Sequence, residues 1–232
     1  MKKVIKLTPL LLLIIFMCPI ALSADINKAM SIYLDVTLDA KERELTLAKK
    51  YKAKDIVLNT GKKLQVAIEA KNYAVQLSRV KDYFGSVDER LAEAKKKGSK
   101  VYVQLQITPQ AKNCITIFVP KKEQGSGSKD GTKINLDKIM EDLTFDDKRE
   151  ESFKLADLMI NEMKNKSPSF CMGIDSKSNY VLENAASPVV IVDFGVSDSI
   201  SPYVLDSAFM DKIIAGISEG LNEYISSLKP RK

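Results

Sequence analysis

Residues 189–194, Val-Val-Ile-Val-Asp-Phe, form the stretch of this sequence that best fits the centre of a β-sheet. Five of its six side chains are β-branched or aromatic apolar groups, which favour strands. An almost unbroken apolar run is typical of a strand covered on both faces, as in parallel sheets that lie between helices. The one polar residue, Asp193, lies near the C-terminal end. The stretch therefore predicts a sheet buried between helical layers.

From Ser31 onward, the chain alternates between strand-like and helix-like segments. The predicted strands are residues 31–34, 73–77, 101–107 and 115–119, and the predicted helices are 56–70, 86–96, 136–143, 151–164 and 207–228. Ser86-Val-Asp-Glu89 has the pattern of a capping box at the start of its helix. This alternation predicts an α/β fold of three layers, with a mostly parallel, twisted sheet flanked by helices. Residues 25–232 are enough for one such domain.

The predicted strand that begins at Val101 carries polar groups toward its end. Val101–Pro109 reads VYVQLQITP, so two amides, Gln104 and Gln106, and the hydroxyl of Thr108 interrupt an apolar run. The C-terminal ends of strands are where α/β folds place their binding sites. The chain contains no histidine at all, so amides stand where an imidazole would be the usual catalytic or metal-binding group.

The first 24 residues have the composition of a secretory signal peptide. Lys2, Lys3 and Lys6 precede an apolar block, which ends with the small residues Ala21, Ser23 and Ala24. We therefore predict that residues 1–24 direct export and are removed. An uncleaved segment would instead anchor the chain in the membrane. Loss of these three lysines lowers the formal net charge from +6 to about +3.

The remaining chain is only mildly basic, and its lysines are interspersed with glutamates. This pattern is typical of a solvated surface and speaks against nucleic-acid binding. Lys121–Lys133, KKEQGSGSKDGTK, is predicted to be a flexible surface loop. In an oxidising compartment Cys114 and Cys171 are free either to pair or to remain buried as separate thiols.

The order of five segments resembles the zinc-dependent N-acetylmuramoyl-L-alanine amidases that trim bacterial cell walls. The resemblance spans roughly Ser31 to Tyr224. The five segments are LSRVKDYFGSVDERLAEA (77–94), VYVQLQIT (101–108), DLTFDDKREESFKLA (142–156), SPVVIVDFGVSD (187–198) and AFMDKIIAGISEGL (208–221). The resemblance implies the amidase fold.

In that family the zinc is held by two histidines and a glutamate, and a further glutamate acts on the metal-bound water. Zinc takes N, S or O donors and lowers the pKa of a bound water toward 7. Aligned with the family pattern, the three ligand positions of this chain hold Leu38, Ala53 and Gln106. Asp193 matches the catalytic glutamate with a side chain shorter by one methylene. Asp35 matches the aspartate that precedes the first histidine, and it becomes a possible cleft-lining residue.

These substitutions predict a catalytically inactive relative that holds no metal and no other cofactor. The signal-peptide pattern predicts that it is exported. It would lie in the periplasm or on the outer side of a bacterial envelope, and would bind peptidoglycan fragments or a cell-wall enzyme. Nucleic acid is not expected as a partner, and a membrane is expected only if the signal segment stays attached.

Two alternatives remain open from the sequence. The first is an active peptidoglycan hydrolase, either an amidase-type enzyme or one that uses Asp193 with Asp35 as a carboxylate pair. If the two residues have only structural roles, Asp35 caps the following turn and Asp193 accepts hydrogen bonds from backbone amides. The second alternative is a protein-interaction module of the envelope, in which the loop 121–133 or the helix 136–143 covers the cleft. Arg79 and Arg90 match family arginines that we expect to hold loops by hydrogen bonds.

Overall fold

The computed structural model describes residues 30–38, 40–81, 85–121, 136–197 and 202–228, with the backbone alone for 40, 41 and 136–143. The predicted signal peptide 1–24 and nearly all of the predicted loop 121–133 lie outside these residues. None of the described helices combines the length and apolar composition that a membrane-spanning helix needs.

Eight strands and six helices make up the described chain. The strands are β1 Ser31–Asp35, β2 Thr46–Leu47, β3 Tyr51–Lys52, β4 Ala74–Leu77, β5 Val101–Pro109, β6 Cys114–Pro120, β7 Met172–Lys177 and β8 Val189–Val196. The helices are α1 Ala40–Arg43, α2 Ala53–Glu69, α3 Val87–Lys96, α4 Leu136–Lys166, α5 Tyr180–Asn184 and α6 Ser207–Ser227, with a 3-10 turn at Tyr203–Leu205.

Six strands form one sheet in the order β4-β1-β5-β8-β6-β7, and β2 pairs with β3 separately. β4, β1, β5 and β8 run parallel to one another, whereas β6 is antiparallel to β8 and β7 is parallel to β6. The prediction of a mostly parallel sheet is confirmed, with a reversed pair of strands at one edge. The stretch 189–194 lies inside the sheet, between β5 and β6, and is buried throughout.

The two faces of the sheet carry separate apolar clusters. The larger cluster joins one face to α2, α4 and α6, and the smaller joins the other face to α3 and α5. Full burial of one Val, Leu or Ile side chain contributes about 1.5–3 kcal/mol, so the larger cluster supplies most of the stability. In the smaller cluster, the rings of Tyr33 and Tyr102 stack with their centroids 5.2 Å apart. Because side chains alternate along a strand, Asp35, Gln106 and Asp193 share that face.

The helix boundaries differ from the sequence prediction mainly in α4. Residues 136–143 and 151–164 were predicted as two helices, but α4 runs unbroken from Leu136 to Lys166. The intervening segment is charged and lacks Gly and Pro, so nothing in it ends a helix. The capping box of α3 is confirmed: the Ser86 hydroxyl accepts from the Glu89 amide, and the Glu89 carboxylate accepts from the Ser86 amide.

α6 packs closely against α4 because two of its residues have no side chain. A Cβ atom on Gly216 would lie 2.7 Å from Met163 Cα, and one on Gly220 would lie 2.5 Å from Met159 Cα. Such contacts leave no room for even a methyl group. The two glycines therefore set the distance between the helices that cover the larger cluster.

Cys114 and Cys171 form a disulfide, with Cα atoms 4.7 Å apart. The bond joins the first residue of β6 to the residue before β7, and the Ile115 amide donates to the Cys171 carbonyl beside it. The bond closes a loop with a sequence separation of 57 residues. In the chain-entropy model a loop of this size stabilises the folded state by about 4 kcal/mol.

Candidate functional site

The positions that matched the family's site lie near the C-terminal ends of β1, β5 and β8 and at the start of α2. Leu38, Ala53, Gln106 and Asp193 are each at most 6 % exposed. Gln106 and Asp193 are register partners on the parallel strands β5 and β8. The structure therefore brings these two polar residues together.

Leu38 and Ala53 belong instead to the larger apolar cluster. The Ala53 amide donates to the carbonyl of Leu45, which fixes the first residue of α2. Neither side chain carries a donor atom. Both positions therefore take part in core packing in this chain.

The residues present do not fit a zinc ion. Zinc sites need thiolate, imidazole or carboxylate ligands, whereas Leu38 and Ala53 offer none and Gln106 offers a neutral amide. Among the described residues, no three His, Cys, Asp or Glu side chains are grouped so that they could hold a metal. The two described cysteines are joined to each other. Among the four matched positions, Asp193 is thus the one with a charged side chain.

The Asp193 carboxylate is held by uncharged donors from the neighbouring strand. The Thr108 hydroxyl lies 2.9 Å from Oδ1 and 2.7 Å from Oδ2. The Gln110 amide nitrogen lies 3.0 Å from Oδ2 and 3.3 Å from the Thr108 oxygen. The expected role of Asp193 as a general base would require a free lone pair aimed at a substrate or a water, and these contacts compete for it.

The pKa of Asp193 reflects its burial. Removal from water raises the pKa above its ordinary value, and hydrogen bonds from Thr108, Gln106 and Gln110, together with the Lys177 ammonium, oppose that rise. The half-buried Tyr203 is close enough for the Asp193 charge to add to the effect of desolvation and raise the tyrosine pKa. In the described structure the Tyr203 hydroxyl has no hydrogen-bond partner.

Asp35, the possible cleft-lining residue, is fully buried in an ion pair. Its Oδ2 accepts from Arg90 Nε at 2.9 Å and from the Tyr102 hydroxyl at 2.7 Å. Its Oδ1 accepts from the Thr37 amide at 3.0 Å, which ties the loop after β1. Asp35 and Asp193 therefore have separate sets of partners, and these contacts do not link them as the acid/base pair of the alternative interpretation.

Arg79 is a second buried arginine, and it holds three segments near the site. Its guanidinium donates to the backbone carbonyls of Val36, Lys54 and Lys81. These carbonyls belong to the loop after β1, the start of α2 and the loop after β4. Both arginines thus make the kind of loop-holding contact that the sequence suggested.

Two residues of the site were not predicted from sequence: Gln110 and Gly195. Gln110 follows the end of β5. Its backbone N–H donates to the Val196 carbonyl, which continues the strand pairing. Gln106, Thr108 and Gln110 alternate along the chain, so their side chains share one face. That alternation was the signal available in the sequence. The role of Gly195 depends on a cross-strand approach that sequence alone does not reveal.

Two adjoining surface depressions, of about 410 and 280 Å³, lie elsewhere on the molecule. Both are lined by Arg149 and Phe153, and the smaller also by Val119 and Pro120. Their lining residues do not include Asp193 or the other matched positions, so these depressions are not part of the candidate site.

Comparison with known proteins now connects this arrangement to a family. The family model described as N-acetylmuramoyl-L-alanine amidase matches residues 26–223. No curated protein matches the sequence.

Solved structures share the fold. The amidase AmiC2 of Nostoc punctiforme superposes with a TM-score of 0.66 at 15 % identity, over 85 % of this chain and 98 % of its own. The catalytic domain of the amidase CwlV from Bacillus (Paenibacillus) polymyxa var. colistinus gives 0.66 at 17 %, with the same coverages. The CwlD amidase from Clostridioides difficile, solved in complex with the GerS lipoprotein, gives 0.57 at 20 %, over 85 % and 99 %. At these identities the likeness shows the fold alone.

Proposed function

The chain belongs to the N-acetylmuramoyl-L-alanine amidase family, and from that membership we propose that it is a non-catalytic member that binds peptidoglycan in the bacterial cell envelope. One observation carries the proposal. The family fold is kept while the three ligand positions hold Leu38, Ala53 and Gln106, which together supply no charged donor for zinc. A fold that has lost its metal ligands and kept its architecture is suited to recognition.

The chemistry of amide hydrolysis supports this proposal. A zinc amidase needs a metal to lower the pKa of water and a carboxylate that can take its proton. Here Asp193 is 2 % exposed and accepts hydrogen bonds from Thr108 and Gln110. The carboxylate is thus already engaged with the protein. Binding rests on other residues than catalysis, so it can persist after the catalytic group is lost.

Three measurements on the purified protein test the proposal. Zinc content should be far below one ion per chain, muropeptides should stay intact, and the protein should sediment with purified, protein-free sacculi. Stoichiometric zinc with release of stem peptides would show that the protein is an enzyme. Absence from the sacculus pellet would remove peptidoglycan as the ligand.

A pair of charge-reversal variants places the binding surface. Lys112 is exposed in the turn between β5 and β6, next to Asn113, which accepts hydrogen bonds from Ser197 at the end of β8. Lys212 is exposed on α6, the helix that packs in the larger apolar cluster on the opposite face of the sheet. Both Lys→Glu substitutions change the net charge equally. If the strand ends hold the ligand, Lys112→Glu weakens sedimentation and Lys212→Glu leaves it unchanged.

A protein partner is the second candidate, because one of the similar amidases was solved in complex with a lipoprotein. Sedimentation with protein-free sacculi, compared with sedimentation with native envelope fragments, distinguishes the two candidates. A peptidoglycan binder sediments with both. A chain that needs a lipoprotein or a cell-wall enzyme sediments only with native fragments, and cross-linking there would identify the partner.

Export is part of the same proposal. The signal-peptide pattern of residues 1–24 and the disulfide between Cys114 and Cys171, a bond typical of oxidising compartments, both support it. N-terminal sequencing of the protein recovered from the cell envelope should begin close to residue 25. An N-terminus at Met1 would mean that the segment remains attached as an anchor.

A further inference from the structure

One face of the chain segment 106–110 presents three uncharged polar side chains to a single buried carboxylate. Gln106 is opposite Asp193 in the register of β5 and β8, and Thr108 is opposite Gly195. Gln110 lies just beyond the end of β5 and reaches back to Asp193. All three side chains come from alternate positions of one strand and its extension, and Thr108 and Gln110 donate hydrogen bonds to Asp193.

The approach of Gln110 depends on the missing side chain of Gly195. A Cβ atom placed on Gly195 would lie 2.3 Å from Gln110 Cδ, 2.4 Å from Oε1 and 2.7 Å from Nε2. The amide of Gln110 therefore lies flat on the backbone of β8. Any larger residue at 195 would displace the end of this side chain and, with it, the hydrogen bond to Asp193.

A buried carboxylate is costly unless its charge is paired or hydrogen-bonded. The charged and titratable groups that act on Asp193 are Lys177, whose ammonium lies over the Phe118 ring at 4.0 Å from its centre, and Tyr203. The close contacts come instead from neutral groups, at 2.7 to 3.0 Å. Hydrogen bonds to an ionised acceptor are about twice as strong as those between neutral groups.

We propose that Thr108 and Gln110, with Gln106 opposite Asp193 in the strand register, form a neutral clamp that replaces a cation, so that the Asp193 carboxylate stays buried without a metal ion. The clamp explains why a carboxylate remains at a position where the metal ligands are gone. It also assigns Gly195 a role, because only glycine leaves room for the Gln110 amide. The clamp is independent of what the protein binds.

A double-substitution experiment on the full chain tests the clamp. Gln110→Met keeps the side-chain length and removes the donor, and Asp193→Asn removes the charge. We expect Gln110→Met to lower the melting temperature by about 5 °C when residue 193 is Asp. The same change should lower it by less than half as much in the Asp193→Asn background. Gln65→Met is the matched control, because Gln65 donates to the Glu69 carboxylate on an exposed helix face.

Glycine substitutions give a second route that leaves Gln110 in place. Gly195→Ala should reproduce the loss seen with Gln110→Met, since its methyl group expels the amide. Gly173→Ala is the matched control in β7, where a new Cβ meets no atom within 4 Å. If Gly195→Ala fails to fold, the Gln110→Met pair still decides the question.

The hydrogens of the clamp supply a readout that simple packing would not move. In NMR spectra the side-chain amide of Gln110 should exchange slowly with water, and exchange should speed up in Gly195→Ala but not in Gly173→Ala. Equal melting losses for Gln110→Met with Asp or Asn at 193 would overturn the clamp. So would a Gln110 amide that exchanges as fast as that of Gln65. Neither result bears on sacculus binding, so the two proposals can fail separately.

Discussion

Gln106 on β5 stands directly opposite Asp193 on β8, and both side chains are buried. The sequence prediction assigns the first of these positions to a metal-binding histidine of the amidase family and the second to its catalytic glutamate. On that prediction, the pairing of β5 with β8 keeps the two positions side by side although the chemistry of each differs. Several consequences can be measured.

Restoring one imidazole should not restore the metal. Gln106→His supplies a single nitrogen, while Leu38 and Ala53 still supply no donor, and a zinc site needs three or four ligands. We expect zinc content and zinc-binding heat to match those of the unmodified protein. Stoichiometric zinc in the single variant would mean that other side chains complete a metal site. That result would contradict the proposal that the protein is non-catalytic.

The buried ion pair of Asp35 should contribute strongly to stability. Asp35→Asn leaves the Arg90 guanidinium, which is 5 % exposed, without its carboxylate. Breaking a buried pair in this way costs about 3–5 kcal/mol. Urea unfolding should show this loss in the free energy of unfolding.

The exposed pair between Lys63 and Asp211 is the control for that measurement. Asp211→Asn should cost less than about 1 kcal/mol, because surface ion pairs are screened by water. Similar losses for both substitutions would contradict a structural role of Asp35.

Asp193 should make stability depend on pH in a defined direction. Burial raises its pKa in the folded chain, so the folded state binds a proton more tightly than the unfolded chain. The raised pKa favours the folded state at low pH, and this contribution is lost as pH rises through the folded-state pKa. Relative to Asp193→Asn, the unmodified protein should therefore gain stability as pH falls from 7.

The gain should be about 1.4 kcal/mol for each pH unit by which the pKa is raised. Parallel urea titrations of the two proteins from pH 7 to pH 4 measure the difference, and other carboxyl groups cancel. A difference that stays constant or changes in the opposite direction would contradict this prediction.

Loss of the disulfide should lower stability without changing the fold. Replacing both Cys114 and Cys171 by alanine should reduce the free energy of unfolding by about 4 kcal/mol through the added freedom of the unfolded chain. Dithiothreitol should lower the stability of the unmodified protein by a similar amount and leave the double variant unaffected. Equal stability of oxidised and reduced protein would remove the disulfide from the account.

Much of the fold could be predicted because it depends on local patterns. The apolar run 189–194 predicted an inner strand, and the capping box at Ser86 predicted the start of α3; both are confirmed. β7 was missed, since MGIDSK lacks the alternation of a half-buried strand and lies at the sheet edge. α5 was missed because five residues are too few for a helical period.

The site was less predictable because its contacts cross between strands. The assignment of Leu38, Ala53 and Gln106 to the family's ligand positions was made from sequence order and stays a prediction. The approach of Gln110 to Asp193 depends on the register of β5 and β8 and on Gly195. The pairing of Cys114 with Cys171 was likewise open, because sequence carries no distance between residues so far apart.

The separation of the apolar clusters on the two faces of the sheet has an evolutionary consequence. Most of the packing that resists unfolding lies with α2, α4 and α6, while the polar positions Asp35, Gln106 and Asp193 are on the other face. Substitutions at these three polar positions therefore leave the packing of the larger cluster in place. A fold organised in this way can lose a catalytic activity and still keep its stability.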